Sequence, residues 1–150
     1  MIRVLSLALV VLLAACATTP EEVSTTPPAA GAEGGVVLEA IEGAPESVTG
    51  ILTAAFNSTA AGRGLRANEA GAGYSIHGYF SVVGSTAGTL LIYVWDVESA
   101  DGSRVTRISG QISSTLAAAD PWQVVEANMV VQAISDTFDD FQTWQAGAGV

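Results

Sequence analysis

The sequence contains no lysine, one cysteine and one histidine. Each scarcity excludes a class of chemistry. Cys16 alone cannot build a disulfide, a zinc cluster or a redox pair within one chain. A Ser-His-Asp triad would have to use His77, and no Gly-x-Ser-x-Gly elbow is present. His77 also lacks the spaced His, Cys or carboxylate partners of a metal site, so it reads as a surface or edge residue of a strand. Positive charge is scarce as well. Five arginines face 15 acidic residues, for a formal charge of −10. That balance excludes a nucleic-acid footprint and a polybasic membrane patch. Beyond the amino-terminal leader, no apolar run approaches the ~20 residues of a spanning helix. The positive mean hydropathy therefore reflects the leader and abundant alanine.

The leader occupies residues 1–15. Arg3 supplies a short positive segment, and residues 4–13 form an apolar core too short to span a bilayer as a stable helix. Leu13-Ala14-Ala15-Cys16 resembles a bacterial lipobox. The resemblance implies cleavage before Cys16, then acylation of its sulfur and of the new amino group. Several acyl chains, at ~0.8 kcal/mol per buried CH₂, make such an anchor effectively permanent. Ala17 after the cysteine implies, by the enterobacterial pattern, export to the outer membrane. Residues 16–35 then form a flexible tether rich in Thr, Pro, Ala and Gly. It lacks the aliphatic and aromatic mass to bury anything. As a coil it spans roughly 25 Å.

Residues 36–145 carry the domain, and residues 146–150 form a frayed tail. The central signal is 90–110, where two apolar runs flank Ser99-Ala100-Asp101-Gly102-Ser103. Asp-Gly between β-branched and aromatic runs marks a hairpin, because Gly takes the positive φ of a tight reversal. Tyr93, Trp95 and Val97 point to one side of its first strand; Ile92, Val94 and Asp96 point to the other. Trp95 is expected to be the largest contributor to the core.

The other elements follow in order. Residues 36–41 read as a first strand. Pro45 and Glu46 open a first helix, with Val48, Ile51, Leu52, Ala55 and Phe56 as its apolar stripe and Gly62 closing it in the left-handed conformation. Gly62-Arg63-Gly64-Leu65-Arg66-Ala67 imitates a dinucleotide fingerprint, but it follows a helix instead of opening one, so it reads as a cap and turn. Residues 65–68 form a short second strand. In residues 74–83, Ile76, Gly78, Phe80 and Val82 alternate with His77, Tyr79 and Ser81. Residues 104–113 return with Thr106, Ile108 and Ile112 opposite Arg107, Ser109 and Gln111. Asp120, Pro121 and Gln123 signal the start of a second helix. Its stripe is Val124, Ala127, Val131, Ile134, Phe138 and Phe141.

This order gives an α/β (α+β) fold. It has one mixed sheet of about five strands, a carboxy-terminal three-stranded antiparallel meander and two packing helices. Tyr74-Ser75-Ile76-His77-Gly78, Val94-Trp95-Asp96-Val97 with Gly102, and the closing helix from Asp120 carry a resemblance. The order is similar to the small α/β domain shared by the TolB amino-terminal domain, the curli secretion lipoprotein CsgG and the penicillin-binding-protein activator lipoproteins. Together with the lipobox, it resembles a proteobacterial envelope lipoprotein.

The remaining candidates read as structural. Asp136, Asp139 and Asp140 form a solvated helix face. Asp96, Glu98, Asp101 and Asp120 serve turns and caps, and Asp96 to Gly102 lacks the closing Glu of a calcium loop. Arg104 and Arg107 offset acids on the hairpin; the alternative is a grip on an anionic glycan. No catalytic residue, cofactor or metal is assigned. Two functions remain open. One is a non-catalytic module, anchored to the outer membrane and facing the periplasm, that binds a protein of an envelope machine. The other is a carrier or sensor of a small apolar or glycan ligand in a cavity between helix and sheet. The state of the sheet's second face separates them. If it is open, His77, Tyr79, Arg107 and Gln111 are the candidate partner-binding residues, since Tyr and Arg are common interface anchors.

Cys16→Ser is expected to give an unlipidated, mislocalised precursor. Mass spectrometry of the membrane-fraction protein checks the assignment, and an unmodified Cys16 there overturns it.

Overall fold

A computed structural model describes residues 35–148. The leader, Cys16 and the tether up to residue 34 lie outside the described residues. The chain runs β1 (Gly35–Glu42), α1 (Glu46–Gly62), β2 (Arg66–Ala67), β3 (Tyr74–Ser85), β4 (Gly88–Ser99), β5 (Arg104–Ser114), a 3₁₀ turn (Pro121–Val124) and α2 (Ala127–Ala148). One five-stranded mixed sheet has the order β2-β1-β3-β4-β5. β1 runs parallel to both β2 and β3, and β3, β4 and β5 form an antiparallel meander. The expected fold class is observed.

Trp95 is the centre of the core. It is fully buried. Its ring reaches from β4 across β3 at Gly78, where an added Cβ would lie 2.3 Å from Cζ3. Phe80 meets the indole edge-on at 5.1 Å, and Phe56 of α1 tilts against it at 6.3 Å. Phe138 and Phe141 of α2 complete the layer, with Phe138 5.1 Å from Phe56. Both helices therefore cover the same face of the sheet. Among the described residues, Trp95 Nε1 is the buried side-chain atom without a hydrogen-bond partner. The packing of the ring outweighs that orphan donor, a loss of order 1–3 kcal/mol. Tyr93, one step along the same face, crosses Gly110 of β5, where a Cβ would lie 2.2 Å from its hydroxyl oxygen. Burial, then the charges of Asp136 and Asp140, push its phenol up to about 12.

Several local expectations are corrected. The residue that closes α1 is Gly64, at φ 73°, not Gly62. Leu65 N–H donates to Ala60 O and Gly64 N–H to Ala61 O, the paired bonds of a Schellman end. Ile51 is 37% exposed, and Ala60 takes its place in the buried stripe. Asp120 does not open α2. Its carboxylate accepts from Trp122 N–H and caps the separate 3₁₀ turn, after which Val125 is extended. The α2 stripe is also rotated. Val131 is 47% exposed and Ala127 is exposed, while Met129, Val130, Ala133 and Thr137 are buried. α2 continues through Ala148, beyond the expected tail boundary. On β5 a bulge opposite Val97/Glu98 turns Val105 inward as well as the Ile108 face. Asp139 is not simply solvated: Arg63 reaches from the end of α1 to its carboxylate, to Gln142 Oε1 at 3.2 Å and to Ser135 O at 3.1 Å. That guanidinium also lies 6.0 Å from the Phe138 ring centre, clamping the two helices.

Trp95→Ala is expected to cost about 3–5 kcal/mol. Gly78→Ala is expected to cost about 1–3 kcal/mol by displacing the same ring. Chemical denaturation measures both, and wild-type stability in either variant would contradict this seating of the indole.

Candidate functional site: the open face of the sheet

Because a strand's side chains alternate, covering one face with both helices leaves every second residue of β3, β4 and β5 on the other. The strand register orders these residues into rows. His77, Asp96 and Arg107 make one row, with Ala40 of β1 beside His77. Tyr79, Val94 and Ser109 make the next, with Glu42 at its β1 end. Ser81, Ile92 and Gln111 follow, then Val83, Leu90 and Ser113. The surface is thus charged at one end and apolar towards the other. Tyr79 is 38% exposed and Val83 54%. Leu90, Ile92 and Val94 on β4 are half-buried by their neighbours.

The four candidate residues share this face. His77 and Arg107 stand in one row, separated by Asp96; Tyr79 and Gln111 stand in the next two rows on different strands. Arg107 is not a free cation. Its Nε donates to Asp96 Oδ1 and a terminal nitrogen to Asp96 Oδ2, both at 2.6 Å. Arg104 lies 3.7 Å from the same carboxylate. These contacts agree with the reading of both arginines as partners of hairpin acids. Asp96 itself is not a turn acid: it is a mid-strand residue only 7% exposed. The Arg107 hydrogen bonds, aided by the charges of Arg107 and Arg104, hold its carboxyl below the usual range despite burial. The antiparallel pairing of β4 and β5 sets Asp96 across from Arg107.

At the other end of this row, His77 Nε2 lies 2.6 Å from Glu39 Oε2 and donates to it. Glu39 sits at the β1 irregularity between Leu38 and Ala40, which turns it towards His77. The His77 hydrogen bond lowers the Glu39 carboxyl, against a smaller effect of desolvation. Asp101 serves the hairpin turn, accepting from Ser99 Oγ at 2.6 Å and from Ser103 N–H at 2.9 Å. The two ends of the calcium-like segment are therefore committed to different partners. Among the described residues, no group of three or more His, Cys, Asp or Glu is placed to hold a metal ion.

The space between α2 and the sheet is filled by Trp95, Ile134, Phe138 and Phe141, each 1% exposed or less. A shallow cleft of about 340 Å³ lies at the charged end of the open face, rimmed by Glu39, Glu69 and Glu98. Another of about 410 Å³ lies at the far end of β3, beside Ala118 and Pro121. Among the described residues, no helix is long and apolar enough to cross a membrane.

Among the described residues, the fold and this face define a two-layer α+β domain with both helices on one side of the sheet and none on the other. No family model and no curated protein matches the chain. Among solved structures, it is similar to a point variant of the PelC dodecamer from Paraburkholderia phytofirmans. That likeness has 15% identity and a TM-score of 0.49, covering 75% of this chain and 92% of that one. The PelC dodecamer from the same organism, in another crystal form, gives 13% and 0.47 over 75% and 92%. A minor lipoprotein from Acinetobacter baumannii gives 13% and 0.41 over 78% and 94%. At these identities nothing about sites, assembly or activity is carried over.

Removing either partner of the Asp96–Arg107 pair has unequal consequences. Arg107→Ala leaves a buried carboxylate with its bidentate partner gone and is expected to destabilise the fold measurably. Asp96→Asn leaves a half-exposed guanidinium that water satisfies, and costs less. The folded Asp96 carboxyl titrates below its unfolded value. Its contribution is therefore complete above the ordinary aspartate range near pH 4 and is lost as pH falls through the lower folded value. Denaturation of wild type and both variants at pH 7 and pH 3 measures this; the gap between wild type and Asp96→Asn is expected to narrow at pH 3.

Proposed function

We propose that this chain is a non-catalytic, lipid-anchored protein of the bacterial envelope. Cys16 fixes it to the outer membrane, the domain faces the periplasm, and the open sheet face binds a protein partner. The observation that carries the reading is the one-sided placement of both helices. It leaves a sheet surface with exposed Tyr79 and Val83 over a half-buried Leu90, Ile92 and Val94 strip. An apolar strip bordered by polar and charged residues has the anatomy of an interface, with Tyr79 as an aromatic anchor. The lipobox-like Leu13-Ala14-Ala15-Cys16 supports the anchor, and the resemblance to envelope domains belongs to the same reading. Glu39 is engaged by His77 and Asp96 by Arg107, and each contact ties neighbouring strands of this face together.

The carrier reading needs space between helix and sheet, and the aromatic layer around Trp95 fills that space. Binding at the exposed face is favoured accordingly.

The test is photo-crosslinking of the full-length chain in intact cells. A photoreactive side chain replaces Tyr79 or Ser81 on the open face, or Gln132 on the exposed side of α2. A discrete adduct with another protein is expected from positions 79 and 81 and not from 132. Equal adducts from all three positions, or none from the sheet positions, would overturn the assignment of this face.

A further inference from the structure

The sheet's two edges are built differently. At the β1 side, β2 is two residues long and covers only the start of the strand. Next to it, Asn68 adopts a left-handed φ of 57° and closes the backbone locally. Its N–H donates to Val36 O at 2.8 Å, and its Oδ1 accepts from Leu38 N–H at 2.8 Å. The irregularity between Leu38 and Ala40 then breaks the line of the strand. These are devices that stop a further strand from adding. β5, at the other edge, is 11 residues long and ends the sheet order. Its one bulge lies at the hairpin end, opposite Val97/Glu98. From Ile108 to Ser114 it carries no charge and no proline, in a chain of formal charge −10. Alternate N–H and C=O groups of such a strand point outward as a template for pairing.

The sequence of that edge is nearly palindromic. Ile108-Ser109-Gly110-Gln111-Ile112 reads apolar, polar, glycine, polar, apolar in both directions. We propose that β5 pairs antiparallel with β5 of a second copy of this chain, about a two-fold axis at Gly110, to join two sheets into one. The axis sets Gly110 against Gly110, Ile108 against Ile112 on the helix-covered face, and Ser109 against Gln111 on the open face. Arg107 then meets Ser113, so no like charges stand opposite each other. Any strand added here needs outward backbone groups. A self-complementary side-chain pattern is what an isologous two-fold contact requires, and it favours a second copy over an unrelated peptide. The contact uses the edge and leaves the open face uncovered, so it stands independently of the partner-binding reading.

A charge exchange at two exposed positions, 109 and 111, tests the pairing. Ser109→Lys with Gln111→Lys sets lysine against lysine twice across the axis. Ser109→Lys with Gln111→Glu sets lysine against glutamate twice. The full-length chain, purified in detergent, is measured by analytical ultracentrifugation, with the far-ultraviolet circular dichroism spectrum as the control for folding. The wild type and the Lys/Glu variant are expected to be dimers. The Lys/Lys variant is expected to dissociate about tenfold more readily or worse with an unchanged circular dichroism spectrum, as two like-charge oppositions imply. A monomeric wild type, or equal dissociation of the two variants, would overturn the proposal. A monomer that pairs with a foreign strand at this edge is one such outcome. In cells, Ser109→Cys with Gln111→Cys gives a disulfide-linked dimer if the axis lies at Gly110. Efficient crosslinking by Ser109→Cys alone would place the axis elsewhere and overturn this register.

Discussion

The seating of Trp95 across Gly78 is the constraint on which the rest of the structure depends. The indole occupies the volume a side chain at 78 would need, so β3 and β4 must meet at that register and no other. Trp95 and Asp96 are consecutive, and a strand sends consecutive side chains to opposite faces. The register that puts the indole under Phe56 also puts the carboxylate across from Arg107. A slip by one residue would expose the ring and bury the charge. Core and surface are thus set by a single alignment, read from two sides.

The two faces are stabilised by different physics. Under the helices, aromatic rings from α1, β3, β4 and α2 interlock, and burial of apolar area dominates. On the open face, short charge-assisted hydrogen bonds link Glu39 of β1 to His77 of β3 and Asp96 of β4 to Arg107 of β5, and such bonds are directional. Such bonds lock the strands laterally without filling space. The open face can therefore remain thin and solvent-facing while its strands stay aligned. Towards its apolar end, Tyr79 and Val83 stand exposed on β3.

How far the sequence revealed this depends on the kind of signal. The hairpin was legible because Asp101-Gly102 carries its own turn chemistry, and β3 because His77 and Tyr79 alternate with Ile76 and Phe80. The face shared by His77, Tyr79, Arg107 and Gln111 followed from the same parity. The phase of α2 was not legible. A stripe drawn through bulky aliphatics passes through Val131, whereas the buried face uses Ala133 and Thr137. Thr137 hides its hydroxyl by donating to Ala133 O at 2.7 Å, so a polar residue serves as a core residue. The break before α2 was missed because Asp120-Pro121 is an equally good start for a 3₁₀ turn. The role of Asp96 needed the pairing of two strands, and Glu39 needed the irregularity in β1. Neither is a property of a local window. Gly62 and Gly64 both suit a helix end, and only the positions of Ala60 and Leu65 decide between them.

The asymmetry extends from faces to edges and to charge. Among the described residues, the acidic side chains lie on the helices, the turns, β1 and the hairpin end of β4, while the carboxy-terminal half of β5 has none. A strongly acidic chain repels its copies over most of its surface, which limits where association is tolerated to places without charge. The uncharged edge of β5 and the apolar end of the open face are adjacent but distinct: one offers backbone groups, the other side chains. Backbone pairing across an edge is insensitive to side-chain identity except for registry. Docking on a face depends almost wholly on side-chain shape. The strand that turns Gln111 to the open face also carries Gly110 at the edge. Joining two sheets at β5 would therefore set two open faces side by side, making a continuous surface twice as wide. A partner that bridged both copies would gain affinity from linked contacts without requiring either face alone to bind tightly.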